Sequence, residues 1–137
     1  MKLYSTKHQS ADVNFEEAIF KGLPSDNGLY MPYEIPQLSS DFINNIDKYS
    51  FQEIAFEVAS KLIGDELPSN VLKSIIDEAI NFEAPVYELS KEIGVLELFH
   101  GPSLAFKDFG ARFMSRVMGY CLAKGSKKLN ILVATSG

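Results

Sequence analysis

Two segments in the first part of the chain repeat their apolar residues every three or four positions, which is the spacing of an amphipathic helix. The first spans residues 49–63, and Ser50 and Glu53 stand in the arrangement of a capping box at its start. The second begins near Ser69 and stops before Pro85. The pattern therefore predicts two helices that each bury one face.

Shorter elements precede these helices. Residues 2–5 read as a strand, and a helix capped by Asn14 should end at Gly22. The dipeptide Asn27-Gly28 can take positive φ in a turn, after which residues 29–31 extend. Residues 32–40 contain two prolines and read as a connector.

From Pro85 onward the pattern changes to β-rich runs at residues 86–89 and 94–99, followed by a helix over about 104–124. Residues 128–135 form a nearly continuous apolar run, which is typical of a strand buried on both faces of a parallel sheet. Strand, helix and strand together indicate one α/β crossover unit. We therefore predict an α/β fold with two domains: a mainly helical amino-terminal region with short strands at 1–84, then the beginning of a doubly wound sheet domain at 85–137.

That sheet has too few strands to be finished, so we expect the chain to be the amino-terminal piece of a longer protein. The alternative is a complete small domain. If the piece stands alone, the apolar edge of residues 131–133 lacks its partners, and we expect self-association.

Composition narrows the class of protein. The 137 residues carry a net charge of −5, and the basic cluster Lys124, Lys127 and Lys128 fits the end of a helix better than a nucleic-acid surface. No apolar run approaches the length that spans a bilayer, and the start lacks the apolar core of a signal peptide, so we expect a cytoplasmic protein that binds neither nucleic acid nor membrane. Cys121 is the only cysteine and should pack in the core.

The stretch HGPSLAFKDFG, residues 100–110, places Lys107 in the first turn of a helix, where a cation is disfavoured. Its neighbours are small or apolar, and partial burial would favour the neutral amine. A neutral lysine is a nucleophile for carbonyl groups and forms Schiff bases. Gly110 and Ala111 would let a bulky group approach. The alternative is that Lys107 reaches solvent and pairs with Asp108.

Two further groups could join such a site. Thr135, Ser136 and Gly137 stand at the end of the apolar run at 128–135, and their backbone amides could hold a carboxylate or phosphate. His100 and His8 lack metal-ligand spacing, so no metal site is predicted. His100 more often closes a turn by a hydrogen bond than acts in catalysis.

LELFHGPSLAFKDFGARF, followed by ILVATSG, resembles the pyridoxal-phosphate lysine region of the threonine synthase family. The opening phrases YSTK and FEEAIFKGLPSDNGLYMP resemble the start of the same family, so the resemblance covers most of the chain. It implies that the whole protein converts O-phosphohomoserine and water to threonine and phosphate. A lysine in this setting alone would indicate only the wider tryptophan-synthase-β-like group, which includes serine and threonine dehydratases.

The resemblance also implies residue roles. Lys107 would form the Schiff base with pyridoxal phosphate and then shuttle protons. Phe106, Ser136 and Gly137 would lie against the cofactor, while Thr135, Ser136 and Ser103 would bind the substrate. Ser103 stands where the family usually has threonine, and Lys7 stands where arginine is more common. By itself the chain is expected to be inactive, and a non-catalytic binding or assembly module or a related dehydratase remain the alternatives.

Overall fold

In the computed structural model, residues 1–125 and 129–132 are described. Short strands and longer helices follow one another along the chain. The strands are β1 (Lys2–Ser5), β2 (Val13–Asn14), β3 (Tyr30–Pro32), β4 (Val86–Ser90) and β5 (Ile93–Leu96). The α-helices are α1 (Phe15–Lys21), α2 (Ser40–Asn44), α3 (Phe51–Ile63), α4 (Ser69–Ala79) and α5 (Lys107–Ala123). None of the helices in these ranges is long and apolar enough to cross a membrane.

The first three strands form an antiparallel sheet in the order β2-β1-β3. In the central strand, Leu3 lies opposite Val13 on one side and Pro32 on the other. Along β1, Leu3 and Ser5 are buried and Tyr4 between them is only partly covered; Val13, opposite Leu3, is buried as well. This alternation places one face of the small sheet against the rest of the molecule.

Asp26 ties together the two loops that leave this sheet. Its carboxylate accepts hydrogen bonds from the Ser5 hydroxyl (2.7 Å) and from the backbone amides of Gly28 (2.9 Å) and Gln9 (3.0 Å). A Cβ atom at Gly28 would lie 2.3 Å from the Ser5 Oγ, so only glycine fits where these loops meet. The segments YSTK (residues 4–7) and SDNGLY (residues 25–30) therefore pack directly against each other.

Helices α3, α4 and α5 enclose the main apolar core. Its buried members come from α3, the segment after it, α4 and α5: Ile63, Leu67, Leu72, Ile75, Ile76, Val117 and Cys121. Phe15, Ile19 and Phe20 of α1 pack against the same cluster. Cys121 is thus a core residue, as its sequence neighbours indicate, and the core joins residues from both sides of the predicted domain boundary at 84/85.

The helix ends follow the sequence signals in most places. Asn14 accepts a hydrogen bond from the Glu17 amide, and Ser50 and Glu53 form the predicted capping box. Helix α2 was not predicted from the sequence, and only its first residue falls in the predicted connector at 32–40. Ser39 caps it and Phe42 anchors it in the interior.

The two β-rich runs after Pro85 pair as an antiparallel hairpin, with Tyr87 opposite Val95 and Val86 opposite Leu96. All four side chains are exposed. Half of the last predicted strand, 128–135, lies outside the described residues, and its described half, 129–132, is not in a strand. The mixture of helices and short strands confirms the α/β class.

Candidate active site

Lys107 is the first residue of α5, so its Cα is fixed by the helix on one side and by the turn at 101–106 on the other. Its side chain is 68% exposed, and Nζ lies 3.8 Å from Oδ1 of Asp108. The expected partial burial of Lys107 is therefore wrong for this structure. The structure instead shows the alternative arrangement, in which Lys107 reaches solvent and its amine lies within ion-pair distance of Asp108.

Asp108 organises the turn that leads to Lys107. Oδ2 accepts the Ser103 amide at 2.7 Å, and Oδ1 accepts the Ser103 hydroxyl at 2.7 Å. The Ser103 hydroxyl lowers the pKa of the Asp108 carboxyl below its ordinary value of 3.8, although burial opposes this shift. Asp108 is 5% exposed and was missed as a site residue, because the sequence suggested it only as an ion-pair partner for Lys107.

The backbone conformation of the turn explains why α5 begins at Lys107 and not near residue 104. Leu104 takes a φ of 54°, in the left-handed region, so it cannot be part of a right-handed helix. Its amide donates to the carbonyl of Gly101 at 3.0 Å, which closes the turn. The predicted helix start at residue 104 is therefore three residues too early.

Phe106 presents its ring to solvent beside Lys107 and is 66% exposed. On its inner side it contacts Phe109, with ring centroids 5.9 Å apart. Phe109 packs in turn on Phe82 (4.8 Å) and Phe51 (6.2 Å), which anchors the start of α5 to the helical core. A groove of about 590 Å³ is lined by Phe51, Phe82 and Pro85 among others, and neither Lys107 nor Phe109 is among its lining residues.

The helix surface next to Lys107 is open. Gly110 lies one helical turn after Lys107 and both Gly110 and Ala111 are exposed. A Cβ atom at Gly110 would meet no other described atom within 4 Å. An accessible amine beside a smooth backbone surface suits a flat aldehyde such as pyridoxal phosphate, so the residues present fit that cofactor.

His100 lies immediately before the turn at 101–106. Its Nε2 lies 2.7 Å from Oε2 of Glu97, and its ring stacks on Phe99 at a centroid distance of 4.8 Å. The contact joins two side chains in a segment that forms no turn, so a turn-closing role for His100 stays a prediction. The remaining predicted site residues, Thr135, Ser136 and Gly137, lie outside the described residues.

Ser103, a predicted substrate contact, has its hydroxyl engaged by Asp108. A hydroxyl can donate one hydrogen bond and accept others, so Ser103 can still accept a bond from a ligand while it donates to Asp108. Ser103, Phe106 and Lys107 are thus near neighbours along the chain, in the turn and at the start of α5.

Comparison with known proteins decides the family. The sequence profile described as "Threonine synthase N terminus" matches residues 2–80, which is more than half of the chain. The chain belongs to the threonine synthase family. Among curated relatives, threonine synthase of Escherichia coli (strain K12) is 41% identical and that of Haemophilus influenzae is 42% identical, each over 137 residues and the whole of this chain. This family member spans about a third of their length, 32% and 31% respectively.

Solved threonine synthases share the fold. The crystal structure of threonine synthase from Escherichia coli matches 88% of this chain and 28% of its own with a TM-score of 0.82 at 40% identity. The structure of pyridoxal-phosphate-bound threonine synthase from Brucella melitensis matches 90% of this chain and 28% of its own with a TM-score of 0.84 at 36% identity. The resemblance found in the sequence is thereby confirmed.

Proposed function

We propose that this chain is the amino-terminal part of a threonine synthase, which converts O-phospho-L-homoserine and water to L-threonine and phosphate. The observation that carries the proposal is the identity of about 40% to threonine synthases over the entire chain, including the Lys107 segment. The enzyme is then a pyridoxal-phosphate-dependent carbon–oxygen lyase that acts on a phosphate ester. The cytoplasmic location stays a prediction.

Lys107 is the proposed attachment point for pyridoxal phosphate. When bound, the cofactor supplies an electron sink for carbanions at the substrate's α and β carbons. An amine at the start of a helix, with an open surface at Gly110 beside it, can reach an aldehyde and can hold or release a proton at Nζ. Phe106 offers an exposed apolar ring next to that amine.

The other proposed roles belong to backbone and hydroxyl groups. Ser103 and Thr135 would bind the substrate, Ser136 would contact both substrate and cofactor, and Gly137 would lie against the cofactor. Amides and hydroxyls of this kind hold carboxylate and phosphate oxygens through charge-assisted hydrogen bonds. These roles rest on the family pattern of the sequence.

Borohydride trapping on the protein encoded by the complete reading frame tests the assignment. We expect reduction in the presence of pyridoxal phosphate to leave a pyridoxyl group on Lys107, found by peptide mass mapping. Lys107→Ala should abolish the adduct, whereas Lys91→Ala, in the exposed turn between β4 and β5, should keep it. An adduct on another lysine, or none, would contradict the proposal.

Product analysis then identifies the reaction. Release of phosphate together with threonine from O-phosphohomoserine is expected. Loss of ammonia from threonine without phosphate release would instead indicate a related dehydratase. A protein that does neither would be a binding or assembly module.

A further inference from the structure

The carboxylate of Asp108 lies in the first turn of α5. It is buried, which is unusual for a charged group. Both of its oxygens are used by a single residue, Ser103, through the backbone amide and the hydroxyl, each at 2.7 Å. Hydrogen bonds to a carboxylate are the stronger kind, and two of them from one residue fix direction as well as distance. The segment 103–108 is thereby closed into a ring.

The backbone on the other side of the turn is pressed against the same carboxylate. A Cβ atom at Gly101 would lie 2.5 Å from Oδ2 and 2.8 Å from the Cβ of Asp108. Gly101 therefore allows the contact, because any larger residue would push the turn away from Asp108.

The turn itself is strained. Leu104 holds a left-handed φ of 54°, which a residue with a branched side chain adopts only when surrounding contacts impose it. Its side chain is exposed and supplies little packing to offset that strain. The contacts that hold the turn are therefore the Gly101–Leu104 hydrogen bond and the two bonds to Asp108.

Lys107 depends on this turn for its direction. It is preceded by the turn and followed by Asp108, and the first hydrogen bonds of the helix run from Asp108 to Ala105 (3.2 Å) and from Phe109 to Phe106 (3.3 Å). A change in the path of residues 101–106 would alter the start of the helix and move the Lys107 amine with it. Reactive groups need placement to within about 0.5 Å.

We propose that Asp108 is a positioning residue for Lys107: its two hydrogen bonds to Ser103 hold the strained turn that fixes where the lysine amine points. This role rests on the proposed function, because it matters only if Lys107 carries the cofactor. Asp108 contacts Ser103 and Gly101, and its Oδ1 also lies 3.8 Å from the Lys107 amine. The positioning role therefore predicts an effect of the Ser103 bonds that persists when the charge of Asp108 is kept.

The test uses the complete enzyme with Asp108→Asn, Asp108→Ala, Ser103→Ala and Ser103→Thr. Hydrogen exchange is measured first, without cofactor, on the peptide that contains the Ser103 amide. We expect exchange about tenfold faster or more in the Asp108 variants, because the amide loses a charged acceptor. Ser103→Thr keeps the hydroxyl and should behave as the unsubstituted protein, with Ser103→Ala between the two.

Cofactor chemistry is measured on the same variants. We expect the rate at which pyridoxal phosphate becomes trapped on Lys107, and kcat per loaded site, to fall about tenfold or more in the Asp108 variants while KM changes little. Asp77→Asn, an exposed carboxylate on α4, should leave both unchanged. Because kcat is expressed per loaded site, a loss of folded protein does not imitate a misplaced lysine. Ser103→Ala and Ser103→Thr repeat only the trapping measurement, which needs no substrate, with Asp108 unchanged.

The possible results are distinct. Unchanged exchange at Ser103, or unchanged trapping and kcat in Asp108→Ala, would overturn the positioning role while the enzyme itself stands. No adduct on Lys107 in the unsubstituted protein would overturn the proposed function and with it this role, even if Asp108 still protects the Ser103 amide.

Discussion

At Gly28 the backbone passes so close to Ser5 that no side chain fits. A Cβ atom there would also lie 3.1 Å from the amide nitrogen of Lys7, and Ser5 is fully buried and cannot move aside. We expect Gly28→Ala to lower the free energy of unfolding by about 1–3 kcal/mol through overpacking. The measurement is urea denaturation of the chain followed by circular dichroism.

Gly119→Ala is the matched control. Gly119 lies within α5, and a Cβ atom there would meet no other described atom within 4 Å. Alanine should therefore raise the free energy of unfolding by about 0.5–1 kcal/mol, through helix propensity alone. Equal effects of the two substitutions would contradict the steric account of Gly28.

Asp26 makes the stability of the same loops depend on pH. The Ser5 hydroxyl, followed by the amides of Gly28 and Gln9, lowers the pKa of Asp26 from its ordinary value of 3.8 to about 2, although burial opposes the shift. The unfolded chain therefore takes up the proton first as pH falls. The contribution of Asp26 to the free energy of unfolding is therefore present above pH 3.8 and is lost as pH falls toward about 2.

We expect Asp26→Asn to be less stable at neutral pH and to lose less stability between pH 3.8 and about pH 2 than the unsubstituted chain. Denaturation curves at a series of pH values measure the difference. Asp47→Asn, at an exposed position, controls for the loss of one negative charge. The same pH dependence in Asp26→Asn and the unsubstituted chain would show that Asp26 does not carry it.

These residue contacts were beyond the reach of the sequence pattern. Lys107 stands out because a cation is unexpected at a helix start, and the glycine turn at 27–28 has a dipeptide signal. Asp26 and Asp108 act through hydrogen bonds to loop residues, and such bonds have no periodicity. The burial of Lys107 was overestimated because its apolar neighbours in sequence, such as Phe106, turn out to be exposed themselves.

At the scale of elements, Arg112 joins α5 to the end of α4. Its Nε donates to the carbonyl of Ala79 (2.9 Å), and its Nη2 donates to the carbonyl of Glu78 (2.7 Å) and to Oδ1 of Asn81 (2.8 Å). The final carbonyls of a helix have no partner within it, so a cation there satisfies them and complements the dipole. The guanidinium also lies 5.6 Å from the centre of the Phe82 ring.

We expect Arg112→Ala to lower the free energy of unfolding by about 1–2 kcal/mol, a value reduced for the partial exposure of the site. Lysine at 112 should recover only part of this, because it is a point charge and cannot form the same fork of bonds. Lys73→Ala removes a cation that pairs with Asp77 on the surface of α4 and should cost less than about 0.5 kcal/mol. Chemical denaturation of the three variants measures these losses. A loss in Arg112→Ala no larger than that in Lys73→Ala would contradict this role.

The sequence predicted elements best where periodicity and caps agree. For α3 the apolar spacing, Ser50 and Glu53 all indicated one helix, and that helix is present. Helix α2 spans only Ser40–Asn44, which is too short to show a period, so it was not predicted. The start of α5 was placed too early because apolar spacing cannot report the left-handed φ of Leu104.

At the scale of the whole molecule, the hairpin of β4 and β5 is apolar on both faces. Neighbouring residues of a strand point to opposite faces, and the pairs Val86–Leu96 and Tyr87–Val95 are adjacent along it. Strands of this composition are typical of sheets covered on both sides. Ile131 and Leu132, within the predicted final strand, are exposed as well.

We therefore expect the 137-residue chain, of 15.3 kDa, to form oligomers or aggregates that light scattering detects as a mass above the monomer's and rising with concentration. The double variant Tyr87→Lys, Leu96→Lys places one charge on each face of the hairpin. It should shift the mass toward that of the monomer. Lysine at both Gln37 and Asn44, which are exposed polar positions, adds the same charge elsewhere and should not. If both double variants dissolve the assembly equally, net charge and not the hairpin controls it, and if the unsubstituted chain is a monomer at every concentration, two apolar faces are not enough to drive association.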